Sequence, residues 1–153
     1  MSLKDTNPKD AIGSTKVSMH LIPSPALVAM SLAFAEGAMK YGKFNWRVSG
    51  VRASVYIDAL GRHLAKWADG EDCDPVTRVP HLASAMACLA IVIDADVCGK
   101  LTDDRPPRNH TALYVEACDS IFQHLKELYK DRTPHQHTIT DREEGIGRLN
   151  SCS

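Results

Sequence analysis

Three observations predict an all-α helical bundle of about four helices. Apolar residues recur at helical spacing in four separate stretches, each bounded by proline or glycine. Strand-like alternation is scarce, and no segment repeats along the chain. The third stretch, Leu82 to Ile93, is apolar or small on nearly every side. A helix of that kind belongs at the centre of a bundle or at a subunit interface. The core is therefore expected to be completed by oligomerisation, as a dimer or tetramer.

The elements follow in order. Residues 1–23 form an irregular leader punctuated by Pro8, Gly13 and Pro23. Ser24-Pro25 offers an N-cap followed by proline at the first helical position, so a helix should run from Pro25 to Tyr41 and stop at Gly42. Leu27, Met30, Ser31, Phe34, Ala38 and Tyr41 make its inward stripe, with Glu36 near the edge. A polar turn, Gly42 to Arg47, leads to a second helix over Val51–Asp69, striped by Tyr56, Leu60, Leu64 and Trp67 with His63 on the same face. Gly70 closes it. Pro80 opens a third helix that reaches Val97 before Gly99. After a break over Lys100–Arg108, a fourth helix runs from Thr111 to Lys130 on the stripe Leu113, Ala117, Ile121, Leu125 and Leu128. The expected organisation is a core over 1–107 with its leader, an additional helix within 108–132, and a polar, flexible tail over 133–153.

Composition narrows the function classes. The chain has 153 residues, 44% hydrophobic and 24% charged, with a formal net charge of -1. No global basic field draws it to duplex nucleic acid or to a membrane surface. The longest apolar run is too short to cross a bilayer, and Asp94 and Asp96 follow it directly. Five cysteines, odd in number and without a C-x-x-C pair, argue against a disulfide framework or a thiolate zinc site. A soluble protein of a reducing cytoplasm is expected.

Asp69, Glu71, Asp72 and Asp74 crowd four carboxylates around Gly70, between two predicted helices. Carboxylates so close repel one another unless a cation or basic group stands among them. Glu36 lies in the otherwise apolar segment Ser31–Met39, where an unpaired charge is costly. Together these point to a divalent-metal site between helices, with Glu36, Glu71 and Asp74 as ligands. Magnesium takes a few carboxylates together with waters and substrate phosphates, which such a set can supply. The bland alternatives are an i,i+4 pair of Glu36 with Lys40 and a solvated acidic turn. His63 and His81, both near these carboxylates in sequence, are candidates to orient a carboxylate or a water.

Short blocks spread along the chain carry a family resemblance. They are Asn7-Pro8-Lys9-Asp10-Ala-Ile-Gly13, Glu36-Gly-Ala-Met-Lys40-Tyr41-Gly42, Asn45-Trp46-Arg47, Arg62-His63 with Trp67, Gly70-Glu71 with Asp74, Pro80-His81-Leu82-Ala83 and Asp103-Asp104-Arg105-Pro106-Pro107. In this order they resemble the phage-type dATP/dGTP diphosphohydrolases, related to the MazG-like all-α nucleoside triphosphate pyrophosphohydrolases. The resemblance covers about residues 5 to 107. It implies magnesium- or manganese-dependent hydrolysis of a purine (deoxy)nucleoside triphosphate, dGTP or dATP, to monophosphate and pyrophosphate. It also implies a phage protein working in the host cytoplasm, where dGMP would supply modified-purine DNA synthesis. Under it, Glu36, Glu71, Asp74, His63 and His81 are catalytic candidates, and Asn7, Lys9, Asp10, Lys40, Asn45 and Trp46 are substrate-binding candidates. The chain departs from the MazG-like E-x-x-E pattern, since Ala33 and Met39 flank Glu36 at three residues. That departure leaves a non-catalytic nucleotide-binding protein as one alternative and a structural helical oligomer as another.

Overall fold

The structure, a computed structural model, describes residues 7–141. Residues 1–6 and most of the expected flexible tail, 142–153, lie outside the described part. Six α-helices appear in the order α1 (Pro8–Gly13), α2 (Ser24–Tyr41), α3 (Trp46–Ser49), α4 (Ala53–Ala68), α5 (His81–Val97) and α6 (Thr111–Leu128). Two-residue strands β1 (Val51–Arg52) and β2 (Leu101–Thr102) pair in parallel, with Val51 opposite Leu101. The fold is all-α, as the periodicity indicated, and the four long helices are the four that spacing marked.

The expected irregular leader contains α1, because Asn7 caps it by accepting from the Lys9 N–H at 3.0 Å and Pro8 suits the first turn. The expected turn after Gly42 contains α3. Helix α2 starts one residue early: Ser24 is inside it and makes no cap hydrogen bond from its side chain. Gly50 is required where it stands. Its φ is +74°, and a Cβ there would meet the Lys100 carbonyl oxygen at 2.9 Å. That close approach lets the Val51 N–H reach Lys100 O at 3.0 Å, tying the start of α4 to the end of α5. Asp104 completes the join, accepting from the Ser54 N–H at 2.8 Å and the Ser54 hydroxyl at 2.6 Å at the α4 N-terminus.

Packing is centred on α5, which lies against α2 and α4. Its buried positions are small: Ala83, Ala85, Ala87 and Ala95, with Ala33 of α2, Ala53 of α4 and Val79 of the preceding loop. Alanine faces let helix backbones approach closely. Of the two placements expected for α5, the centre of the bundle holds within the single chain for its alanine face, while Leu82, Leu89, Ile93 and Val97 are exposed there. The predicted α2 stripe is likewise shifted. Ala33 is its buried centre, Met30, Phe34 and Ala38 are half-buried, and Leu27, Ser31 and Tyr41 are exposed. In α4, Tyr56, Leu60 and His63 are half-buried while Leu64 and Trp67 are exposed. No helix among the described residues is long and apolar enough to cross a membrane. Cys88, Cys98 and Cys118 are free thiols.

Candidate active site

The acidic segment is shaped by the end of α4. Gly70 adopts φ +95°, and the Glu71 N–H reaches back to Lys66 O at 3.0 Å while the Gly70 N–H reaches Trp67 O. This is a Schellman-type stop, in which a left-handed glycine lets the chain satisfy the last helical carbonyls. It delivers Glu71 immediately past the helix end. The chain then folds back on itself through an antiparallel bridge between Cys73 and Pro80. The Asp74 N–H donates to Val79 O at 3.0 Å and the His81 N–H to Asp72 O at 3.0 Å. Glu71 and Asp74 therefore share no helical turn; two loop closures place them instead. Arg78, at φ +61°, takes the left-handed conformation that the tight return demands, at a cost of roughly 1 kcal/mol.

His81 is the hub of the site. It opens α5 and is 1% exposed, the largest side chain fully buried among the described residues. Its Nε2 lies 2.7 Å from Glu71 Oε1, and its Nδ1 lies 3.0 Å from Nδ1 of His63 on α4. The ionised carboxylate only accepts, so Nε2 carries the hydrogen toward Glu71. In a neutral pair, His81 Nδ1 then accepts from the His63 Nδ1–H, and His63 Nε2 keeps its lone pair. Burial, and then the neighbouring His81, Lys66 and Arg62 charges, push the His63 pKa below its ordinary value. Glu71 also accepts from Lys66 Nζ at 3.2 Å. The His81 and Lys66 hydrogen bonds together hold the Glu71 pKa low.

Asp74 and Glu36 complete the acidic set. Asp74 Oδ1 accepts from the Thr77 N–H at 2.9 Å and the Val76 N–H at 3.0 Å, which lowers its pKa. This is an Asx turn, so the bland turn role is present. Glu36 accepts from Lys40 Nζ one turn on, as expected of an i,i+4 pair. The Lys40 pKa is raised, first by its bond to Glu36, with the Asp74 charge also contributing. The structure links Lys66, Glu71, His81 and His63 through contacts between α4 and the α5 N-terminus, and pairs Glu36 with Lys40 on α2. Glu36, Glu71 and Asp74 are not drawn tight around one point. Among the described residues, only exposed His135, His137 and Asp141 bring three donor atoms within 4.8 Å of one another.

The remaining candidates divide. Asn7, Lys9 and Asp10 lie on exposed α1 or at its cap and have no described contact with the acidic region. Trp46 and Asn45, adjacent in sequence, face different clefts. Trp46 lines an apolar cleft of about 540 Å³ with Phe34, Ala38, Phe44 and Ala90, rimmed by Lys43, Arg47 and Asp94. Asn45 lines a smaller cleft of about 330 Å³ with Tyr56 and Thr102. In the larger one, Trp46 has Phe34 and Phe44 at centroid distances of 5.6 and 5.5 Å.

Asp94 is the residue that sequence reasoning missed. It accepts from the Trp46 indole N–H at 2.6 Å and from Arg47 Nε and Nη2, both at 2.8 Å. That bidentate grip lowers the Asp94 pKa to about 2. Its signal was a carboxylate near the end of an apolar helix, paired with the Trp-Arg of the Asn45-Trp46-Arg47 block. A folded-state pKa below the ordinary 3.8 means stabilisation present above that value and lost as pH falls toward 2. Asp94→Asn should therefore lower the melting temperature at pH 7, and the gap to wild type should close between pH 4 and 2 on thermal unfolding. A gap independent of pH would remove the ionised pair as its cause.

No curated protein and no solved structure matches this chain. The family described as dATP/dGTP diphosphohydrolase, N-terminal, matches residues 6–105, which span α1 through β2 and every residue of the acidic and histidine cluster. On that match the chain belongs to the dATP/dGTP diphosphohydrolase N-terminal family.

Proposed function

We propose that this protein hydrolyses a purine (deoxy)nucleoside triphosphate, dGTP or dATP, to the monophosphate and pyrophosphate. The observation that carries this reading is the contact chain Lys66–Glu71–His81–His63, with the Glu36–Lys40 pair on α2, all inside the family-matched region. The family supports a diphosphohydrolase acting on a nucleotide. The α-phosphorus as the point of attack, the metal and the purine go beyond the family match and belong to the proposal.

The donor set suits Mg²⁺ or Mn²⁺, being carboxylate oxygens from separate elements. Lys40 on Glu36 and Lys66 on Glu71 place ammonium charge where a divalent cation would also be drawn. Glu36, Glu71 and Asp74 would hold the metal, which when bound neutralises triphosphate oxygens and lowers the pKa of a coordinated water. The protein's own groups supply the rest. Lys40, released from Glu36, contacts phosphate. His81 fixes the direction of the Glu71 carboxylate, and His63 Nε2 presents an unprotonated nitrogen that can take a proton from the attacking water. The aromatic cleft at Trp46, with Lys43 and Arg47 at its rim, suits the stacking surface of a purine.

The test is a panel of dGTP, dATP, GTP and ATP with Mg²⁺ or Mn²⁺, with products separated by anion exchange. Monophosphate and pyrophosphate in equal amounts from a purine substrate are expected. Nucleoside diphosphate with orthophosphate, or no turnover of any substrate, contradicts the proposal. A triphosphate that raises the melting temperature without being cleaved would favour a nucleotide-binding protein instead.

A further inference from the structure

We infer that the segment after α6 carries a transition-metal site, in which His135, His137 and Asp141 hold one ion of the zinc class. Among the described residues these three alone bring three donor atoms within 4.8 Å of one another. They lie beyond the family-matched residues 6–105, so the site is separate from the hydrolytic machinery proposed above.

The sequence builds the site locally. Thr138-Ile139-Thr140-Asp141 closes a capping box: Thr138 Oγ1 accepts from the Thr140 N–H at 3.3 Å, and Asp141 Oδ2 accepts from the Thr138 N–H at 2.5 Å. The Asp141 N–H donates to Thr138 O at 3.0 Å, within the 3₁₀ turn Ile139–Asp141. The carboxylate is thereby held through Oδ2, and Oδ1 meets His135 Nε2 at 3.2 Å. His137 approaches the same carboxylate, with Nδ1 3.9 Å from Oδ2. The two imidazoles meet edge to face with centroids 4.6 Å apart. Gln136, between them, is engaged elsewhere and donates to Pro134 O at 3.3 Å. A plain His–Asp ion pair needs one imidazole; here a second converges on the same carboxylate.

Spacing and ligand chemistry both suit a metal ion. Zinc binds imidazole nitrogen and carboxylate oxygen at about 2.0–2.1 Å, so neighbouring ligand atoms of a tetrahedral site lie about 3.3 Å apart. The His135–Asp141 contact already has that spacing, at 3.2 Å. His137 must close in, and its side chain is 80% exposed and free to turn. Water completes the shell on the solvent side. Two imidazoles and one carboxylate suit zinc, copper or nickel, whereas magnesium takes oxygen ligands and keeps its waters. The ion here therefore differs from the one that the Glu36, Glu71 and Asp74 set suits.

The experiment is a zinc titration of the untagged, metal-stripped full chain against a chromophoric chelator, with magnesium in excess and no nucleotide. Wild type should hold one zinc ion per chain. His135→Asn combined with His137→Asn should weaken that binding by at least about 10-fold, as expected when metal ligands are lost. His110→Asn combined with His124→Asn should leave it unchanged. Proton NMR of wild type reads the same site without any substitution, because zinc should shift the ring signals of His135 and His137 first among the seven histidines. Equal zinc affinity in wild type and the His135/His137 double variant, no zinc binding by wild type, or first shifts at other histidines would overturn the inference. Because neither nucleotide nor turnover is involved, this outcome is separate from that of the proposed hydrolysis.

Discussion

Glu36→Gln is expected to lower purine triphosphate hydrolysis by more than about 100-fold while leaving the fold intact. Loss of a group that merely supports a metal ligand already costs about 10- to 100-fold, and a ligand itself costs more. Glutamine keeps the length and one acceptor oxygen but removes the charge that a cation and Lys40 both use. Stability should change little, because a solvent-exposed i,i+4 pair such as that with Lys40 contributes little. The check is turnover with saturating dGTP and Mg²⁺, alongside thermal unfolding. A variant that folds and turns over at the wild-type rate would take Glu36 out of the scheme.

His81→Ala should have the largest effect on stability, lowering it by roughly 2–4 kcal/mol and the melting temperature by about 5–12 °C. The substitution opens a cavity at a position that is 1% exposed. It also strips Glu71 of its 2.7 Å partner and leaves the His63 ring facing the void. His81→Gln, which keeps a donor within reach of Glu71, should recover part of the loss. Equal losses for the alanine and glutamine variants would show that the hydrogen bond to Glu71 contributes nothing. A change under 1 kcal/mol for His81→Ala would mean that the hub is not a structural centre.

Much of the fold was legible because helix periodicity and its punctuation are local. The four long helices, their glycine and proline boundaries and the Glu36–Lys40 pair needed only spacing along the chain. Depth was not legible. Spacing cannot tell which side of an apolar helix faces a neighbour within the chain, and in α5 that side is the alanine face. The short elements α1 and α3 were masked by turn-forming residues that also cap helices, as Asn7 does. The β1–β2 pair escaped because two residues carry no alternation.

The site divides along the same line. Glu71 and His81 lie ten residues apart, but their contact depends on the Gly70 stop and the Cys73–Pro80 return, neither of which has a periodic signature. Asp94 lies 48 residues from Trp46, and only tertiary packing joins them. Asn45 and Trp46 looked like one nucleoside-holding unit, yet the first turn of α3 sends them into different clefts.

Hydrolysis of dGTP in ¹⁸O-labelled water, with Mg²⁺ and mass analysis of both products, addresses the central claim most directly. Attack on the α-phosphorus puts the heavy oxygen in the nucleoside monophosphate and none in pyrophosphate, which is the expected result. Label in the pyrophosphate, label in orthophosphate beside a nucleoside diphosphate, or no incorporation at all would contradict the mechanism drawn from this cluster of carboxylates, lysines and histidines.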